Sequence, residues 1–159
     1  MSYFSKLEQS KSDSKDFKVK QQDILDKKIE IDDKKRSLDN LESELSSDLP
    51  DEVFDSIMSA IDNQQEEIES EAEEVKIEAE DFDSDLQGEI KDIDDELGDA
   101  ESDQQQLDDL SQQANDFTEI AQEIDSQNEK IADCINDLSG LKDEYENISD
   151  NVKNMINEL

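Results

Sequence analysis

The feature that most constrains this chain is a heptad line toward its C-terminal end. Leu110, Phe117, Ile124, Ile131, Leu138, Tyr145, Val152 and Leu159 fall seven residues apart without a miss. A companion line of Ile120, Gln127, Cys134, Leu141, Ile148 and Met155 completes an a/d stripe, and Ala114, Ala121, Ile135 and Ile156 widen one flank. A period of seven gathers apolar groups on one side of an α-helix, whereas a strand would need a period of two. The register passes unchanged through Gly140, which places that glycine on an outer helix face at a cost of about 1 kcal/mol against Ala. One helix from about Ser102 to Leu159 is predicted.

Upstream, Ser46-Ser47-Asp48-Leu49-Pro50-Asp51-Glu52 has the chemistry of one helix ending and another beginning. It offers a Ser/Asp cap, Pro in the first turn, then acids where the macrodipole favours them. Phe54, Ile57, Ile61, Ile68 and Val75 continue a 3.5-residue rhythm, after which the line shifts to Ala72, Ala79, Leu86, Ile93 and Ala100. That shift reads as a stutter in the winding. Gly98 followed by Ser102-Asp103-Gln104-Gln105 offers a C-terminal glycine and a capping box, so a hairpin turn is expected there. The competing expectation is one unbroken helix from Pro50 to Leu159, because the flank line 93, 100, 107, 114, 121 survives the junction.

The first segment carries Phe17, Ile24, Ile31, Leu38 and Leu45 seven apart, with a companion line of Lys20, Lys27, Lys34 and then Leu41. Lysine stems can cover apolar surface while their ammonium groups reach outward to carboxylates. Residues 8–16 hold no apolar side chain, so residues 1–16 are expected to form a loose polar arm. The expected architecture is all-α: an elongated antiparallel bundle or coiled coil, a single domain over 17–159 with helices at about 17–46, 50–97 and 102–159.

Charge divides the chain in two. Residues 1–46 carry 10 basic and 11 acidic side chains, whereas residues 47–159 carry 5 and 38, out of a total net charge of −34. Between Glu66 and Asp103 there are 19 carboxylates against Lys76 and Lys91. On a helix rising 1.5 Å per residue this is roughly one net negative charge per 3.4 Å, about the linear density of one DNA strand. Such a surface repels nucleic acid and anionic lipid and attracts basic partners. With 31% hydrophobic content the composition alone also fits disorder, and it is the stripes that argue for folding.

The absence of His removes Ser-His and Cys-His nucleophile pairs and His metal ligands. Cys134 lies on the d-line as a small core residue, and Gln127 and Asn128 read as register or partner selectors. Asp81, Asp83 and Asp85 suggest a calcium loop, but its sixth position is Leu86 where Gly is needed and its twelfth is Asp92 in place of Glu. No catalytic residue, cofactor or metal is expected. There is no apolar run of membrane-spanning length and no apolar segment behind the first charge, so neither membrane insertion nor a cleaved signal is expected. A cytoplasmic location is the default, with signal-independent export left open.

The expected function is non-enzymatic: a helical protein–protein interaction module, such as an adaptor, accessory or chaperone-like subunit. A small helical partner of a larger secreted protein or toxin is one form it could take. It would bind a protein partner or self-associate as an oligomer, without contacting nucleic acid, through the seam Leu110, Phe117, Ile124, Ile131, Leu138, Tyr145 and Val152. The alternative is an acidic nucleic-acid mimic that blocks a DNA- or RNA-binding protein with a face including Glu69, Glu73, Glu80 and Asp83.

Overall fold

The computed structural model describes residues 2–46 and 48–159. Met1 and Ser47, which belong to the expected arm and the expected first turn, lie outside the described residues. Three helices account for nearly everything else: α1 (Ser2–Glu44), α2 (Asp51–Gln113) and α3 (Thr118–Glu158). The protein is an all-α helical bundle, and no strand is present among the described residues.

The α1–α2 boundary follows its local chemistry. The Ser46 Oγ accepts from the Asp48 amide at 3.2 Å, and α2 begins with the Phe54 amide donating to the Pro50 carbonyl at 2.9 Å. Pro50 stands where its missing N–H costs nothing, and Asp51 and Glu52 occupy the positive end of the macrodipole.

The other boundary corrects the sequence reading. α2 runs straight through Gly98 and ends at Gln113, and the turn occupies residues 114–117, closed by the Phe117 amide on the Ala114 carbonyl at 2.8 Å. Gly98 has a negative φ, and a Cβ there would meet nothing within 4 Å. It is a solvent-facing helix residue, as is Gly140. The unbroken heptad line hid the turn because Leu110 and Phe117 keep its spacing although neither is buried. The expected phase shift is present but lies near Leu86, where Phe82, Leu86 and Ile90 are buried four residues apart in succession before the line goes on through Ile93 and Ala100. Ile68, Ala72, Val75, Ala79, Phe82 and Leu86 are all buried, alternating four and three residues apart as one stripe.

The loose arm is the larger correction. α1 starts at Ser2, and Tyr3, Lys6, Leu7, Ser10 and Ser14 are all buried. The line of Phe17, Ile24 and Ile31 extends backward in register through Ser10 to Tyr3, so small serines hold core positions. Small residues there leave room for large side chains on the facing helix.

The chain divides into two compact units, each containing parts of all three helices: Met1–Val19 with Ser84–Asp150, and Lys20–Asp83 with Asn151–Leu159. In the first, Ser2 and Tyr3 meet Glu96 and Asp103 while Lys6 meets Glu89, so α1 and α2 are antiparallel. The Cys134 thiol donates to the Tyr3 carbonyl, and Ser14 meets Glu144, so α3 runs parallel to α1. In the second unit the same directions hold, with Lys34 on Glu71, Lys28 on Glu158 and Lys153 near Asp83. This up-down-up order is the economical solution for three amphipathic helices joined by short turns.

Candidate functional site

Lys20, Lys27 and Lys34 stand one heptad apart on α1 and reach across to α2. Lys20 and Lys27 both bind Glu78, the latter at 2.9 Å, and Lys34 binds Glu71 at 2.7 Å. Hydrogen bonds from Lys20 and then Lys27 hold the Glu78 carboxyl below its ordinary range, and the bonds to Glu78 and Asp23 raise Lys27 in return. The bond to Glu71 likewise raises Lys34. These pairs lie over the α1–α2 seam, covering it with aliphatic stems as well as charge.

The cover stops after Lys34. One heptad on, α1 carries Leu41; one and two heptads back from Glu71, α2 carries Gln64 and Ile57. A cleft of about 870 Å³ opens there, between the last turns of α1 and the first turns of α2. Leu38, Leu41, Val53, Ile57, Ile61 and Ile68 give it an apolar floor, and Asp33, Lys34, Glu52 and Gln64 stand among its polar lining. Ile61 and Ile68 at its base are buried, whereas Leu41 is 49% and Val53 44% exposed. Leu41 and Val53 share one concavity with a buried apolar floor, whereas Val19, Ile29 and Ile77 are exposed singly along their helices, and it is the concave grouping that marks an interaction surface. The signal for this cleft was present in the lysine line that ends in Leu41, but only the position of α2 shows that nothing replaces the missing ion pair.

The residues expected to form an interaction seam separate into two groups. Ile131, Leu138, Tyr145 and Val152 are buried within the chain's own bundle, and Ile124 is half-buried. The Tyr145 ring packs edge-on against Phe17 with centroids 5.0 Å apart. Leu110 and Phe117 are not on α3 at all: Leu110 lies in the last turns of α2, Phe117 lies in the turn, and they are 49% and 63% exposed. The seam therefore closes on the chain itself where it is continuous and lies open only near the α2–α3 turn.

Of the expected acidic face, Glu69, Glu73 and Glu80 are exposed. Asp83 departs from it, with its side chain only 17% exposed and its carboxylate 4.0 Å from the Lys153 ammonium. It belongs to the packing between α2 and α3. Much of the remaining acidic density also has a structural use, since Lys6 meets Glu89 at 2.6 Å and Lys142 meets Asp94 at 2.6 Å.

Cys134 is buried, and that burial, followed by the charge of Asp137, raises its thiol pKa and keeps it protonated. Burial and the Asp103 carboxylate push the Tyr3 phenol up as well. Both groups are thereby poor nucleophiles or bases near neutral pH. Among the described residues no group of three or more His, Cys, Asp or Glu is arranged to hold a metal ion, and no helix is long and apolar enough to cross a membrane.

No protein-family model, curated protein or solved structure matches this chain.

Proposed function

We propose that this protein is a non-enzymatic helical interaction module, an adaptor or accessory subunit that binds another protein through the cleft between the end of α1 and the start of α2. The observation that carries this reading is the interruption of the lysine cover at Leu41, which leaves a concave apolar surface on a bundle whose α3 seam is filled from Ile131 to Val152. Burying apolar side chains is the main source of affinity between helical surfaces, at about 25 cal/mol per Å² removed from water. The alternative, an acidic mimic of nucleic acid, draws support from the exposed Glu69, Glu73 and Glu80.

Capture from native lysate separates the two when the bait is varied. The baits are the wild-type chain, a Leu41→Gln/Val53→Gln chain and a Glu69→Lys/Glu73→Lys/Glu80→Lys chain, each at low and high salt. An adaptor keeps its partner in high salt and through the charge reversal, and loses it with the cleft substitutions. A mimic shows the opposite pattern, because a charge-driven complex weakens steeply with ionic strength. The interaction reading is abandoned if no bait retains a partner that either set of substitutions removes.

A further inference from the structure

We infer that the occupant of the α1–α2 cleft is a basic amphipathic helix from another protein; this deepens the interaction reading above and rests on it. The local charge favours this occupant. Residues 37–68, which contribute both walls beyond Lys34 and Ser37, carry ten carboxylates and no Lys or Arg. A second copy of this chain would bring an equal negative charge to the same place, so self-association through the cleft works against like-charge repulsion. A basic chain meets the opposite sign beyond Lys34, where Glu52 lines the cleft and residues 37–68 supply only carboxylates as charged groups.

The chain covers the rest of this seam in the same way. Where the α1–α2 seam is covered, the cover consists of lysines at heptad spacing whose ammonium groups reach Glu71 and Glu78. Leu41 stands where the next lysine would be, and the carboxylate Glu52 lines the cleft beyond it. A partner helix bearing Lys or Arg beside its apolar stripe would extend this pattern with side chains the chain itself lacks from residue 37 to residue 68.

The length of the cleft also suits a helix. From Val53 to Ile68 the floor follows α2 for about 22 Å at 1.5 Å per residue, which matches roughly four turns of a partner helix. Leucine-sized residues at i, i+4, i+7 and i+11 span about 16 Å and would then lie along the floor between Val53 and Ile68, the helix-in-groove mode of recognition.

The test uses synthetic peptides and the full chain. Three labelled 18-residue peptides are titrated by fluorescence anisotropy: a Leu/Lys amphipathic helix, the same composition scrambled so that no apolar stripe forms, and a Leu/Glu amphipathic helix. The first should bind at least about tenfold more tightly than either other, a difference of about 1.4 kcal/mol. Leu41→Gln/Val53→Gln keeps the net charge and should weaken that binding at least about tenfold. Ile77→Gln, at an exposed apolar position outside the cleft, should leave it unchanged. Circular dichroism confirms that each variant stays helical.

Equal binding of the scrambled peptide overturns the inference, because the acidic surface alone would then account for the attraction. Equal or tighter binding of the Leu/Glu peptide overturns it by removing the charge argument. A concentration-dependent dimer in sedimentation that the Leu41→Gln/Val53→Gln substitution abolishes would assign the cleft to a second copy. A natural partner lost with the cleft substitutions, alongside failure of the Leu/Lys peptide, would leave the interaction reading standing and defeat the basic-helix assignment alone.

Discussion

The Tyr145 hydroxyl of α3 donates a 2.6 Å hydrogen bond to the backbone carbonyl of Ser10 in α1. Both residues are fully buried, and burial, with Asp13, Glu89 and Glu144 nearby, pushes the Tyr145 phenol up to about 12. The bond therefore persists across the physiological pH range. Tyr145→Phe keeps the ring against Phe17 and removes only this bond, which should cost about 1 kcal/mol and lower the melting temperature by about 3 °C. Tyr145→Ala also empties the ring's volume and should cost roughly 3–5 kcal/mol. Removal of residues 2–16 should likewise destabilise the chain severely in thermal melts. An unchanged melting temperature after that removal would restore the loose-arm expectation.

Gly98 offers a sharp check on the course of α2. With a negative φ, open space around a Cβ and helix on both sides, Gly98→Ala should stabilise the protein by about 0.5–1 kcal/mol. A glycine ending a helix at positive φ would give the opposite result. Chemical denaturation of the single variant reads the sign directly.

The sequence showed the helical class, the α1–α2 boundary and the outward placement of Gly140 because each rests on local chemistry. Periodicity, proline at a first turn and a solvent-facing glycine need no knowledge of the partner helix. The start of α1 was missed because Ser10 and Ser14 are polar by composition and core by position, a distinction fixed by what packs against them. The turn at 114–117 carries no Pro or Gly and falls within an intact heptad line, so its one local mark is Asn115-Asp116, a polar pair that an exposed helix face would carry equally well. The cleft was half legible: Lys20, Lys27, Lys34 and Leu41 form one line, but its missing counterpart on α2 depends on tertiary register.

Glu78 ties pH to stability. Its bonds from Lys20 and Lys27 depress its folded pKa below 4.5, so its stabilisation is present above the unfolded carboxylate range and is lost as pH falls through the folded value. Lys27 has the opposite sign: raised above 10.5, it contributes below its unfolded pKa and ceases to contribute as pH rises through its folded one. The groups are partly exposed, with 29% of the Glu78 and 41% of the Lys27 side chain accessible, so solvent screening holds each pair to about 0.5 kcal/mol. Glu78→Gln should therefore reduce stability at neutral pH by about 1 kcal/mol for the two pairs together. The deficit should close in acid. A deficit that persists in acid would trace to packing instead of charge.

Salt should act in the opposite direction from its usual effect on ion pairs. With a net charge of −34 concentrated after residue 46, mutual repulsion outweighs the exposed bridges. Raising ionic strength from 0.01 M to 0.15 M shortens the Debye length from about 30 Å to about 8 Å and screens that repulsion. Melting temperature should rise by several degrees across this range. A fall would show that the lysine pairs of α1 dominate the electrostatics.

Leu138 and Phe117 occupy the same heptad line in sequence and different environments in the fold, and this contrast tests the bundle most directly. Leu138 has no exposed surface, while Phe117 sits in the α2–α3 turn with 63% of its surface accessible. An unpaired carboxylate at a core position costs several kcal/mol, more than a chain with such narrow apolar stripes can absorb. Leu138→Asp should therefore abolish most of the helical circular dichroism signal. Phe117→Asp places the charge in water and should change stability by less than about 0.5 kcal/mol. If residues 50–159 formed one continuous helix, both positions would lie on a single intermolecular seam, and the two substitutions would be comparably destructive. Equal loss of helix in the two variants would thus favour the continuous rod, whereas collapse of Leu138→Asp alone requires the chain to turn at residues 114–117.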